Sequence, residues 1–76
     1  MEYIMVTLQT EGSHQADLKV PAFVPVGSLL DMLAEALHLE KGPETRLQAE
    51  PLGRILQDGK TLEEQGVCHG ALLTVI

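Results

Sequence analysis

Leu56-Gln57-Asp58-Gly59-Lys60-Thr61-Leu62-Glu63-Glu64-Gln65-Gly66-Val67, followed after Cys68-His69-Gly70 by Ala71-Leu72-Leu73-Thr74-Val75-Ile76, decides the fold of this chain. Asp58-Gly59 is a turn dipeptide, because aspartate bonds its own nearby backbone and glycine takes positive φ at no steric cost. Thr61 can cap a single helical turn over Leu62-Glu63-Glu64-Gln65. Gly66 ends that turn, and His69-Gly70 is a second corner. Residues 71–76 are apolar except for Thr74, and Val75 and Ile76 are β-branched, which stiffens an extended segment. They read as a closing strand.

The beginning of the chain answers this end. In residues 3–9, Ile4, Val6 and Leu8 fall on one side and Tyr3, Met5, Thr7 and Gln9 on the other. That period of two is a strand. Thr10-Glu11-Gly12-Ser13-His14 is a cluster of turn formers. Ala16, Leu18 and Val20 then alternate with Asp17 and Lys19, so the two segments make a β-hairpin. Pro21 lacks a backbone donor, which suits the end of the second strand.

Pro25 and Ser28 are rival starts for the next element. Proline is favoured in a first helical turn, and Ser28 followed by Asp31 is a later capping signal. Val26, Leu29, Leu30, Leu33 and Leu37 form the stripe of an amphipathic helix about three turns long. Asp31 and Glu35 lie on its polar side, and Ala34 and Ala36 are good helix formers. Gly42-Pro43 ends anything helical, so the helix is expected to stop near His38 or Leu39. Residues 46–50 alternate as a strand. Pro51 and Gly53 interrupt it, and Arg54-Ile55-Leu56 is a short strand at best.

The order is strand, strand, helix, strand, short strand, turn, strand. The helix is long enough for a crossover, so the first and last strands are expected to pair in parallel at the centre of the sheet. This predicts an α+β chain of β-grasp architecture: a mixed five-stranded sheet with one helix packed on one face. Residues 1–76 are expected to form a single domain without linker, repeat or low-complexity segment.

Composition narrows the function. The chain is 45% hydrophobic but only 3% aromatic, with Tyr3 and Phe23 its only rings, so the core must be aliphatic. A domain this small buries only about 60% of its unfolded surface. The net charge is −6, from five basic and eleven acidic residues. Lys19, Lys41, Arg46, Arg54 and Lys60 are scattered, with no basic cluster to displace counterions and no aromatic platform for bases. Nucleic acid is therefore excluded as a partner, and an anionic membrane surface is disfavoured. A basic protein partner fits. No apolar run approaches the ~20 residues of a membrane span, and Glu2 stands where a secretory signal would carry positive charge. Direct membrane insertion is not expected, and a cytoplasmic location is.

The chemistry-bearing residues point away from catalysis. Cys68 is the only cysteine, so neither an internal disulfide nor a four-cysteine zinc site can form. Free cysteine behaves as a small hydrophobe, so Cys68 is expected to be buried or half-buried. Its neighbour His69 could serve as a base, but adjacent residues on a strand point to opposite faces. His14, His38 and His69 are too far apart to read as a metal set; His38 instead suits the negative end of the helix. Glu63 and Glu64 diverge on a turn and read as solvated. Gly53, Gly59, Gly66 and Gly70 are isolated corners without phosphate-loop spacing. No nucleophile, base and orienting group come together, so neither enzyme activity nor a cofactor is expected.

Two stretches carry a family likeness. One is Asp17-Leu18-Lys19-Val20-Pro21 through Pro25-Val26 into Leu29-Leu30 and Leu33. The other runs from Leu56 to Gly70, with its Asp-Gly turn, Thr-Leu, and Gly-Val-x-x-Gly before the last strand. The chain resembles the YukD/EsaB group of small bacterial ubiquitin-like proteins. It is also similar to the ubiquitin-like domain of the EccD membrane component. Both belong to type VII (ESX-like) secretion systems, which export small helical-hairpin substrates with a Trp-x-Gly motif. The resemblance implies a non-enzymatic protein-interaction module whose partner is a secretion-system component, either free-standing or as a domain of a larger membrane component. Carriers and modifiers of this fold end in Gly-Gly, and no such pair occurs here. Laid on this chain, the isoleucine at the centre of ubiquitin's recognition patch falls on Glu50, a charge that usual receptors would have to bury unpaired. The chain-building lysine falls on Arg54, whose guanidinium stays protonated. Recognition by surface contact is the expected role, not covalent transfer.

If Ile4, Val6 and Leu8 face the helix, Tyr3, Met5 and Thr7 face outward. By the same overlay, Leu73 and Val75 point inward, and Leu72, Thr74 and Ile76 point out. Tyr3, Met5, Leu72 and Ile76 are thus the candidate partner-binding residues, expected as one contiguous apolar patch on the open sheet face. A one-residue slip of register would expose the other set instead.

Overall fold

The computed structural model describes residues 2–10, 14–40, 42–50 and 52–76. The turn positions assigned to Glu11, Gly12 and Ser13, the break at Pro51, and Lys41 lie outside them. The elements are β1 (Tyr3–Gln9), β2 (Gln15–Pro21), α1 (Val26–Leu37), β3 (Leu47–Glu50), β4 (Arg54–Ile55) and β5 (Leu72–Val75). They form one five-stranded sheet in the order β2-β1-β5-β3-β4. β1 and β5 pair in parallel, with Thr7 opposite Leu72, Leu8 opposite Leu73 and Gln9 opposite Thr74. The other pairings are antiparallel. The fold is thus the expected β-grasp, with the two ends of the chain side by side at the sheet centre.

Alternation decides what faces the helix. Val6 and Leu8 of β1, Leu47 and Ala49 of β3, and Leu73 of β5 are buried against Val26, Leu29, Leu30 and Leu33 of α1. Ile4 and Val75 pack at the margin of the same cluster. Each fully buried leucine contributes roughly 1.5–3 kcal/mol relative to exposure, so an aliphatic core can hold so short a chain.

Both ends of α1 are finished by means the sequence did not show. Pro25 occupies the N-cap position and makes no side-chain cap. The first amides instead donate to a distant turn: Val26 N–H to the Lys60 carbonyl (2.9 Å) and Gly27 N–H to that of Asp58 (3.0 Å). Of the rival starts, Pro25 is therefore the real one, and Ser28 lies inside the helix. A side chain at Gly27 would press on this joint, because its Cβ would fall 3.2 Å from Asp58 Cβ and 3.4 Å from its carbonyl oxygen. The helix stops where expected, but the agent is not Gly42-Pro43. His38 takes a left-handed conformation (φ 57°), and the Leu39 amide turns back onto the Ala34 carbonyl (2.9 Å). Histidine is one of the few residues enriched in that region.

The segment 57–67 is a tightly bonded corner. Thr61 Oγ1 accepts from Glu64 N–H (3.0 Å), and Glu64 Oε1 accepts from Thr61 N–H (2.9 Å). This is a reciprocal capping box, so Glu64 is engaged as well as exposed. Gly66 closes the turn at φ 77°. Beneath it Gln65, only 5% exposed, is the one buried polar residue among those described. Its Oε1 accepts from Gln57 N–H (2.7 Å), and its Nε2 donates to the carbonyls of Gln57 (2.9 Å) and Lys60 (3.3 Å). Gln65 therefore ties down the turn that receives the helix. Gln65→Leu keeps the volume but strands these backbone groups. Urea unfolding should show a loss of about 2 kcal/mol, and the melting temperature should fall by about 10 °C.

Candidate functional site

The face of the sheet away from α1 is the candidate site, and strand register fixes its layout. Across its upper part, Met5 of β1 stands opposite Lys19 of β2, with Tyr3 one step beyond. Tyr3 is 54% exposed, its ring edge-on to Phe23 (5.5 Å between centroids, 85°) and beneath the Lys19 ammonium (5.8 Å). The next row runs Asp17, Thr7, Leu72, Glu50 from β2 to β3. Thr7 Oγ1 donates to Asp17 Oδ1 (2.8 Å), and Leu72 is half-buried between Thr7 and Glu50. The row below runs Gln15, Gln9, Thr74, Gln48 and ends on Ile55 of β4. Ile76 lies lower still, exchanging backbone hydrogen bonds with Arg46 (3.1 and 2.9 Å).

This register brings Tyr3, Met5 and Leu72 to neighbouring positions and leaves Ile76 apart. Tyr3, Met5 and Ile76 are exposed, and Leu72 is half-buried. Leu72 and Ile76 are four positions apart, about 13 Å along a strand, and the polar row of Gln9, Thr74 and Gln48 crosses between them. The contiguous patch expected from sequence is thus two patches. Ile55, 56% exposed, adds an apolar group at the right-hand edge that was not among the candidates. Ile55 pairs with Gln48 in the short β4, a register that local sequence does not show. Glu50 lies on this face beside Leu72, and its Oε1 lies 3.5 Å from Gln48 Nε2.

His69 and Cys68 behave differently from expectation. Cys68 is exposed, not buried or half-buried. Val67 and Ala71 take the buried positions on either side, and the corner between them turns the thiol outward, with Sγ 3.6 Å from the Gly66 carbonyl. His69 Nδ1 accepts the Met5 N–H (3.1 Å), which requires that nitrogen to carry a lone pair. Next to it the Gly70 amide donates to the Met5 carbonyl (2.7 Å), and Thr7 N–H to that of Ala71 (2.9 Å). The imidazole thus adds one rung to the parallel β1–β5 ladder, a role sequence reasoning missed. Among the described residues no three His, Cys, Asp or Glu side chains converge as a metal site. His69→Leu should cost about 1 kcal/mol and should speed hydrogen exchange at the Met5 amide selectively, as followed by NMR.

A family model described as "WXG100 protein secretion system (Wss), protein YukD" matches residues 3–75. No curated protein matches the chain. Among solved structures, the ubiquitin-like domain of the Mycobacterium tuberculosis type VII secretion system protein ECCD1 is similar at TM-score 0.75 and 26% identity, over 100% of this chain and 99% of that one. Caldiarchaeum subterraneum ubiquitin is similar at TM-score 0.78 and 26% identity, over 99% and 92%. The UBL domain of Plasmodium falciparum Dsk2, at TM-score 0.73 and 23% identity over 99% and 100%, shares the fold. With a ubiquitin-like β-grasp and a family match over nearly its whole length, the chain belongs to the YukD family of the WXG100, or type VII, secretion system.

Proposed function

We propose that this chain is a non-enzymatic protein-interaction module. In this reading it forms one domain over residues 1–76, works in the cytoplasm as an accessory or regulatory component of a type VII secretion system, and docks its open sheet face onto another cytoplasmic part of the machine. The observation that carries the reading is the apolar strip from Tyr3 and Met5 to Leu72, on a sheet face that no described element covers. Preformed sheet faces of this kind bind with little ordering cost. Asp17 and Glu50 flank the strip at Leu72, Lys19 flanks it at Met5, and the chain carries a net charge of −6, so a partner with a mainly basic rim around an apolar centre fits best. A second reading, a domain of a larger membrane component, is supported by the near-complete coverage of the ECCD1 domain. The size of the native polypeptide on an immunoblot separates the two.

Chromosomal replacement tests the docking face. Met5→Ser combined with Leu72→Ser should keep the fold, as judged by circular dichroism. It should lower export of the small helical-hairpin substrates by about tenfold, as expected when two central contacts are lost. Ile76→Ser, outside the strip, should export normally. Unchanged export from the folded double variant would overturn the docking role of this face.

A further inference from the structure

The outer edge of β2 carries a pattern that the open-face reading does not use. β2 is the first strand of the sheet, and β1 is its one partner among the described residues. At the two ends of the hairpin, Thr10 N–H donates to the His14 carbonyl and Ala22 N–H to that of Glu2. Exchanging pairs alternate along an antiparallel ladder, so the even-numbered residues of β2 bond to β1. Gln15, Asp17 and Lys19 therefore direct both N–H and C=O to the free edge, and Pro21 directs only its carbonyl.

Charges on an edge strand ordinarily repel a second strand. Here the sign alternates, and that makes the edge selective. An antiparallel second copy centred on Leu18 sets Asp17 of each chain opposite Lys19 of the other, twice by symmetry. Centring on Asp17 or on Lys19 instead sets like charges face to face. In the favoured register each Asp17–Lys19 pair can exchange two backbone hydrogen bonds. Pro21 falls at the ends of the ladder, where its missing donor removes the least. Both charges are already held in place, Asp17 by Thr7 Oγ1 and Lys19 by the Tyr3 ring. On the helix side, half-buried Leu18 would meet its own copy in a non-hydrogen-bonded pair, where side chains approach most closely.

We propose that β2 is a self-complementary pairing edge, along which two copies of this chain join antiparallel into one continuous sheet, Asp17 of each against Lys19 of the other. The open face stays free in such a dimer, so this inference and the docking role can fail independently.

Sedimentation equilibrium of the purified chain, from micromolar to millimolar concentration, is the test. The wild type should show a concentration-dependent dimer. Asp17→Lys alone and Lys19→Asp alone should each weaken association by about tenfold or more, because both symmetric pairs become like-charged. An equimolar mixture of the two single variants should associate again, since every facing pair is then opposite in sign. The double variant Asp17→Lys/Lys19→Asp should match the wild type. The mixture controls for folding, because it contains the same molecules that fail alone. A wild type that stays monomeric, single variants that dimerise normally, or a mixture that does not recover would each overturn the proposal.

Discussion

The parallel pairing of β1 with β5 is the contact on which the rest of the molecule depends. It joins residues 3–9 to residues 72–75, the most distant described segments of the chain. A parallel pair cannot be closed by a tight turn, so the chain between must cross over, and α1 supplies the crossing. β3 then pairs with the far side of β5, and β2 and β4 add the two edges. The corner before β5 reinforces this junction, with the Gly70 amide and the His69 imidazole both bonded to Met5.

A second constraint locks the helix to the sheet. The first helical amides have no side-chain cap and find their acceptors on Asp58 and Lys60. Orphan amides at a helix start must be satisfied somewhere, and here a turn from the other half of the chain does it. That turn holds its shape because buried Gln65 bonds its backbone at three points. Gln65, the one buried polar side chain among the described residues, thus braces the turn that receives the helix start, and the helix in turn covers the inner face of the sheet.

The two faces of the sheet differ in character. The inner face is filled by leucine, valine and alanine. The outer face is left open, mixed in character, and ordered by short polar contacts such as Thr7 with Asp17. Among the described residues no three His, Cys, Asp or Glu side chains converge as a metal site on it. The family match over residues 3–75 ties the chain to the WXG100 secretion system.

The alternation of Ile4, Val6 and Leu8, the leucine stripe of the helix, and the turn residues from Asp58 to Gly66 made the elements, their order and their inward faces legible without any structure. Such patterns are local: a side chain's direction on a strand or helix follows from its own neighbours in sequence. The tertiary structure alone decided which rung met which. Register between β1, β5 and β3 separated Ile76 from Leu72 and brought Glu50 beside it. Pairing across 64 residues gave His69 its bond to Met5. The same corner turned Cys68 outward although its chemistry favours burial. These features depend on contacts between segments far apart along the chain, and no periodicity within a single segment encodes them.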